Sequence, residues 1–256
     1  MIDTGQYPIT LKDHIEVRLS WNLARPSTSD MHTPTALLQT ISISTSLIGA
    51  GGIAALSLFS IPSFEALPAS RSLPQIRWLF SRGSHIFPTV AFLSSTGFAS
   101  LAFLALPAGR RSLPHLLKAF SGASFNQSIA GYVAAAALCI SIAPYTSLRM
   151  IPTNFELIRM TEAKGGARSE RSAREKDGAA AKSGDGEDPA DVSVSGRGLP
   201  SQFSDLSRPQ GKTEEDTTED EDEKVRGLLR KFGRENMVRA VLLGAGGVVG
   251  LISALA

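Results

Sequence analysis

Residues 33–64, 86–109 and 119–148 of this chain contain no Asp, Glu, Lys, Arg or His, and residues 237–256 contain only Arg239. A helix rises about 1.5 Å per residue, so roughly 20 apolar residues cross a hydrocarbon layer of about 30 Å. Each of the four stretches is long enough. A helix that is apolar all round has to be buried or sit in lipid, and a soluble bundle of this size would need polar faces that these segments lack. The expectation is an all-α fold, an integral membrane bundle of four transmembrane helices.

Bulk composition hides this, because 43% hydrophobic residues and a net charge of +2 also describe an ordinary globular protein. The charge is segregated. Of the 24 acids, all but Asp3, Asp13, Glu16, Asp30 and Glu65 lie at Glu156 or later. The single cysteine, Cys139, excludes an internal disulfide framework and any multi-cysteine metal site, and reads as a small buried hydrophobe. Residues 1–32 have acids among their bases and no apolar core, unlike a cleavable leader, so the first span serves as the targeting signal. In that tail Ile15, Val17, Leu19, Trp21 and Leu23 alternate with polar residues at the period of a strand, but a lone strand is not stable in water and disorder is expected.

The chain divides into a polar tail (1–32), three spans (33–160), a polar loop (161–225) and a fourth span with its approach (226–256). From 161 to 223 the loop is mostly Gly, Ser, Pro and charge, too poor in apolar surface to offset its ordering entropy, and it is expected to be disordered. It ends in an acidic run, 214–223, without a base. Four crossings put both termini on one side. The bases near the spans, among them Arg71, Arg77, Arg82, Arg159, Lys164, Arg226 and Arg230, place the long loop in the cytosol by the positive-inside rule.

Helices in lipid associate where small residues let backbones approach, and Gly49, Gly51, Gly52, Gly131, Gly244, Gly246, Gly247 and Gly250 supply such faces. Gly49, Gly51 and Ala54 also match a dinucleotide-binding G-x-G-x-x-A pattern. That fingerprint needs a preceding strand and an acid about 20 residues on, and here it sits inside an uncharged span, so helix packing explains it better. No Walker loop, HExxH or G-x-S-x-G motif occurs, and nothing suggests a nucleic-acid partner.

The end of the third span is more specific. It runs Ala143-Pro144-Tyr145-Thr146-Ser147-Leu148-Arg149-Met150-Ile151-Pro152-Thr153-Asn154-Phe155-Glu156. Pro144 should kink the helix and free the carbonyl of Ile140, which in a membrane must find another partner or line a wet cavity. At 100° per residue Thr146, Arg149, Thr153 and Glu156 fall on one polar stripe. The plainer alternative makes Arg149 and Glu156 interface markers and Arg239 an interfacial anchor.

This segment, with its P-Y-T and P-T-N triplets, resembles the signature of the anthrone oxygenase-like family of four-span membrane proteins. Arg77-Trp78-Leu79-Phe80-Ser81-Arg82-Gly83 with Pro88, and Asn236 with Arg239, agree with it. Phe232 stands where the family typically has tryptophan, and the long loop and N-terminal tail are additions.

The resemblance implies oxidation of a planar polyketide anthrone to an anthraquinone by dioxygen, in secondary metabolism, without a tightly bound metal or flavin. Such a reaction needs a base, a donor for the developing oxyanion and a dry apolar cavity. Glu156 or His85 is the expected base and Arg149 or Asn154 the oxyanion donor. Thr146, Asn236, Pro144, Tyr145 and Arg239 are expected to hold the substrate, which enters from membrane lipid. An endomembrane such as the endoplasmic reticulum is the expected location. The competing readings are a non-catalytic adaptor working through its acidic loop and a small transporter. The transporter is weakened by the scarcity of charge in the spans.

Overall fold

The computed structural model describes residues 28–115, 127–179, 205 and 207–256. They fall into two units divided between Leu38 and Gln39, and all contacts below belong to the second. The alternating tail segment and most of the connection, 180–204, lie outside the described residues.

Among the described residues the structure is helical without strands, and four helices are long and apolar enough to cross a membrane: Pro34–Glu65, Ala69–Ala105, Gln127–Ala163 and Glu219–Leu255. The first is built from α1 (Thr28–Ala55), a π-helical turn (Leu56–Ser60) and α2 (Ile61–Glu65). The second is α3 (Ala69–Ala105). The third is built from α4 (Gln127–Tyr145), a second π turn (Thr146–Met150) and α5 (Ile151–Ala163), and the fourth is α7 (Glu219–Leu255). Between the third and fourth lies α6 (Glu170–Ala179).

All four of these helices outrun the bilayer, with 32 residues in the first and 37 in each of the others. A 37-residue helix such as α3 or α7 is about 55 Å long against about 30 Å of hydrocarbon. The excess lies at the charged ends that face the long connection. α7 starts at Glu219, inside the acidic run, because Thr218 caps it. The Thr218 hydroxyl accepts from the Glu221 amide while the Glu221 carboxylate accepts from the Thr218 amide. Four acids in that first turn also suit the positive end of the helix dipole.

The two halves of the bundle are held by different forces. Within the apolar band, large side chains such as Ile48, Phe59, Phe92, Leu148 and Ile252 face outward, as lipid requires. The helices meet there through small residues. A Cβ added at Gly246 would lie 2.6 Å from Cys139 Sγ and 3.1 Å from the Ala135 carbonyl, so the third and fourth spans pack backbone to backbone. Gly49 packs against Val90 and Leu243, as helix packing rather than nucleotide binding predicts. Interhelical hydrogen bonds add to this: Ser46 Oγ donates to the Leu243 carbonyl at 2.6 Å and Ser95 Oγ to the Ala136 carbonyl at 3.0 Å.

Beyond the band the helices carry a water-type core of Ile61, Leu73, Ile76, Met150, Leu157, Val225, Leu229 and Phe232. Ion pairs surround it: Glu65–Arg230 at 2.8 Å, Glu156–Lys224 at 2.6 Å and Lys164–Glu221 at 2.8 Å.

Part of the connection packs on this core. Thr213 donates its amide to the Ser70 carbonyl, and Thr217 and Asp222 accept from the first amides of α3. Ser207 accepts from the Trp78 indole at 2.9 Å, and Arg82 lies over that indole. Asp205 braces the turn by accepting from the Ser169 hydroxyl and the Ser207 amide. Burial pushes the Asp205 carboxyl up, but those hydrogen bonds and the Arg168 guanidinium outweigh it and hold it below the ordinary value of 3.8.

A depressed carboxylate contributes stability above its unfolded pKa and loses it as pH falls through the folded one. In Trp21→Phe protein, whose remaining tryptophan is Trp78, emission should shift to the red on acidification below about pH 4. Asp205→Asn should show the shifted emission already at neutral pH, and an unchanged spectrum would contradict the assignment. Packing has its own test. Gly246→Val should destabilise the detergent-solubilised protein by about 1–3 kcal/mol. Gly51→Ala, with nothing within 4 Å of the added carbon, should not; equal melting curves would refute the contact.

Candidate functional site

Both π turns precede an Ile-Pro pair, and their sequences are alike. Ser57-Leu58 and Ile61-Pro62-Ser63 in the first span match Ser147-Leu148 and Ile151-Pro152-Thr153 in the third, and one extra residue, Asn154, precedes the Phe155-Glu156 that matches Phe64-Glu65. Proline fits at the start of a resumed helix, where its missing N–H is not needed. The residue before it donates five residues back, Ile61 to Leu56 and Ile151 to Thr146. The likeness extends to function in the fold, since Glu65 and Glu156 both pair with bases of α7. Spans one and three thus share a π turn before an Ile-Pro pair, and both turns border the same space.

That space is a cavity of about 200 Å³. It is lined by Leu56 and Thr146 from the two π turns, Arg77, Phe80, Gly83, Phe87 and Pro88 from α3, Asn154, Phe155 and Ile158 from α5, and Phe232, Asn236 and Arg239 from α7. It lies where the charge-free run of α3 begins, near Ile86, and that of the third span ends, near Leu148. The site therefore sits at the seam between lipid-facing and water-facing halves.

Arg239 is the centre of its polarity. It is 8% exposed and Asn236 is 1% exposed. Arg239 Nη1 donates to Asn236 Oδ1 at 3.0 Å and approaches Met150 Sδ at 3.9 Å, while the guanidinium lies 5.7 Å from the Phe87 ring centroid. Its Nε has no hydrogen-bond partner, and among the described residues it has no carboxylate partner. Asn236 in turn donates Nδ2 to the Ile53 carbonyl at 3.1 Å and to Ser57 Oγ at 3.3 Å, serving the backbone that the first π turn disturbs. Asn154 Oδ1 is also buried without a partner. Thr146 lines the cavity but spends its hydroxyl on the Ile142 carbonyl at 2.6 Å. Arg77, 4% exposed, pairs with Glu162 at 3.5 Å.

Of the residues expected to form a site, Thr146, Asn154, Asn236 and Arg239 meet here. The others do not line the cavity. Glu156 is engaged with Lys224, Arg149 and Pro144 are exposed, Tyr145 packs against the water-side core, and His85 is half-buried outside the lining. The expected stripe of Thr146, Arg149, Thr153 and Glu156 is broken by the π turn, which bonds i to i+5 and so shifts the register between Thr146 and the residues after it. Arg239 is not an interfacial anchor, because the extended α7 carries it inside the bundle. Arg77 and Phe80 line the cavity and belong to the Arg77–Gly83 motif, whereas no motif in the sequence contains Phe87.

Fold and site define a four-span helical membrane protein with an aromatic-walled cavity and a buried arginine at its seam. The family model for anthrone oxygenase matches residues 77–183. The match takes in α3 from Arg77 onward and the whole third span, including Thr146 and Asn154; the fourth span, with Asn236 and Arg239, lies outside it. No curated protein and no solved structure matches the chain.

Replacing Asn236 by Ala strips the Ile53 carbonyl and the Arg239 guanidinium of a partner together. This should cost about 1–3 kcal/mol in unfolding of the solubilised protein. A variant as stable as the parent would show that water serves both groups equally well.

Proposed function

We propose that this protein is a membrane-bound oxygenase that oxidises a planar polyketide anthrone to the anthraquinone with dioxygen. The observation that carries the reading is Arg239, a buried cation that lines an aromatic-walled cavity and keeps one N–H without a partner. An anthrone methylene lies between two aryl rings and opposite a carbonyl, so loss of one proton gives an aromatic enolate. Arg239, oriented by Asn236, would hold the enolate oxygen, and Phe80, Phe87, Phe155 and Phe232 would enclose the rings. The enolate passes electrons to dioxygen, a carbon–oxygen bond forms at the former methylene, and loss of water from the resulting hydroperoxide leaves the second carbonyl.

The seam position suits a poorly soluble substrate that partitions into lipid and exposes its oxygens at the interface. Secondary metabolism at an endomembrane, with the long connection in the cytosol, is the setting this reading implies.

Microsomes containing the full chain, fed an anthrone under air, should form anthraquinone faster than empty microsomes. Arg239→Gln should lower kcat/KM by about 10²–10³. Formation no faster than the air oxidation in empty microsomes would sink the proposal.

A further inference from the structure

Among the described residues the cavity lining includes no carboxylate and no imidazole, so the reaction proposed above lacks a proton acceptor among the groups that line it. One buried acid nearby is unused. Glu235 is 7% exposed, and its Oε2 is buried without a hydrogen-bond partner. Burying a carboxylate oxygen without a partner is costly, which points to a functional role.

Its neighbours follow from the register of α7. Lys224 and Gly246 stand about three turns, or 11 residues, to either side of Glu235, so all three share one face. Lys224 meets Glu156 and Gly246 packs on Cys139 and Ala135, all of the third span. Glu235 therefore faces the stretch between them, which is the π turn Thr146–Met150. Thr146 of that turn lines the cavity, as do Asn236, next to Glu235, and Arg239, one turn on. π turns of this kind recur at functional sites.

We infer that Glu235 is the proton acceptor for the cavity, reached through one water at the π turn of the third span. This rests on the oxygenase reading. The carboxylate takes one methylene proton through that water and becomes the acid, while the enolate oxygen rests on Arg239. Dioxygen takes up two electrons as it bonds to the carbon, and the peroxide anion takes the proton back from Glu235. The carboxylate then removes the second methylene proton as the O–O bond breaks. That C–H electron pair becomes the new C=O bond, and the departing hydroxide leaves as water with the proton from Glu235. One substrate and one dioxygen give one quinone and one water, with Glu235 unchanged.

The test uses full-length protein in liposomes with an ordinary anthrone and one carrying deuterium at the methylene. Glu235→Gln should lower kcat by about 10²–10⁴, the range for loss of a general base. It should reveal a primary isotope effect larger than the parent's and still bind the anthraquinone product with the parent's Kd. Glu235→Asp should recover part of the rate. Parental turnover in Glu235→Gln would overturn the inference and leave the oxygenase reading intact. Loss of turnover together with product binding would assign Glu235 a purely structural role and overturn it as well. If the unaltered protein shows no turnover above air oxidation, the oxygenase reading falls and this inference with it.

Discussion

Asn236 holds together two groups that water would otherwise serve. Its amide donates to the Ile53 carbonyl, on the backbone just before the first π turn, and its oxygen accepts from the Arg239 guanidinium. Each contact alone is ordinary. At the seam of a membrane bundle they are coupled, because a backbone carbonyl without a partner is costly there and so is an arginine without an acceptor. One side chain ties the fourth span to the first and holds Arg239 where it lines the cavity.

The position of that seam follows from the length of the helices. Within lipid no hydrophobic force drives them together, and glycine faces with a few serine hydrogen bonds hold them. Past the band the same helices enter water, where leucine, isoleucine and phenylalanine form a conventional core ringed by ion pairs. Side chains suited to neither solvent collect at the junction. The π turns lie there, each before an Ile-Pro pair, and widen two helices around a common space. The aromatic walls and the buried Arg239 guanidinium thus share one cavity because the bundle changes its packing chemistry at that level.

Much of this was legible in the sequence. The four spans are visible as runs without charge, since lipid excludes charge more stringently than any globular core. Their ends were less visible. Charged residues at 69–85, 149–163 and 219–236 read as loop or interface, although a helix that leaves the membrane carries charge without ending. Capping by Thr218 and Glu221 was available as a start signal inside the acidic run. Thr146, Asn154, Asn236 and Arg239 could be found because they belong to short motifs. Arg149 and Glu156 misled because a uniform 100° per residue does not survive a π turn, and nothing in a periodicity count announces one. The paired Ser-Leu and Ile-Pro segments of spans one and three would have been the signal, but they match at too few positions to stand out without the structure.

The central claim is that Arg239 gives the cavity a preference for an aromatic oxyanion. It is tested most directly by the absorption of a hydroxyanthraquinone bound to the full-length protein, since such dyes change colour when the phenol ionises. At a pH where the free dye is neutral, the bound dye should show the band of its anion, and Arg239→Gln protein should bind it as the neutral form. A bound spectrum matching the neutral dye in apolar solvent, or one unaffected by Arg239→Gln, would contradict the account.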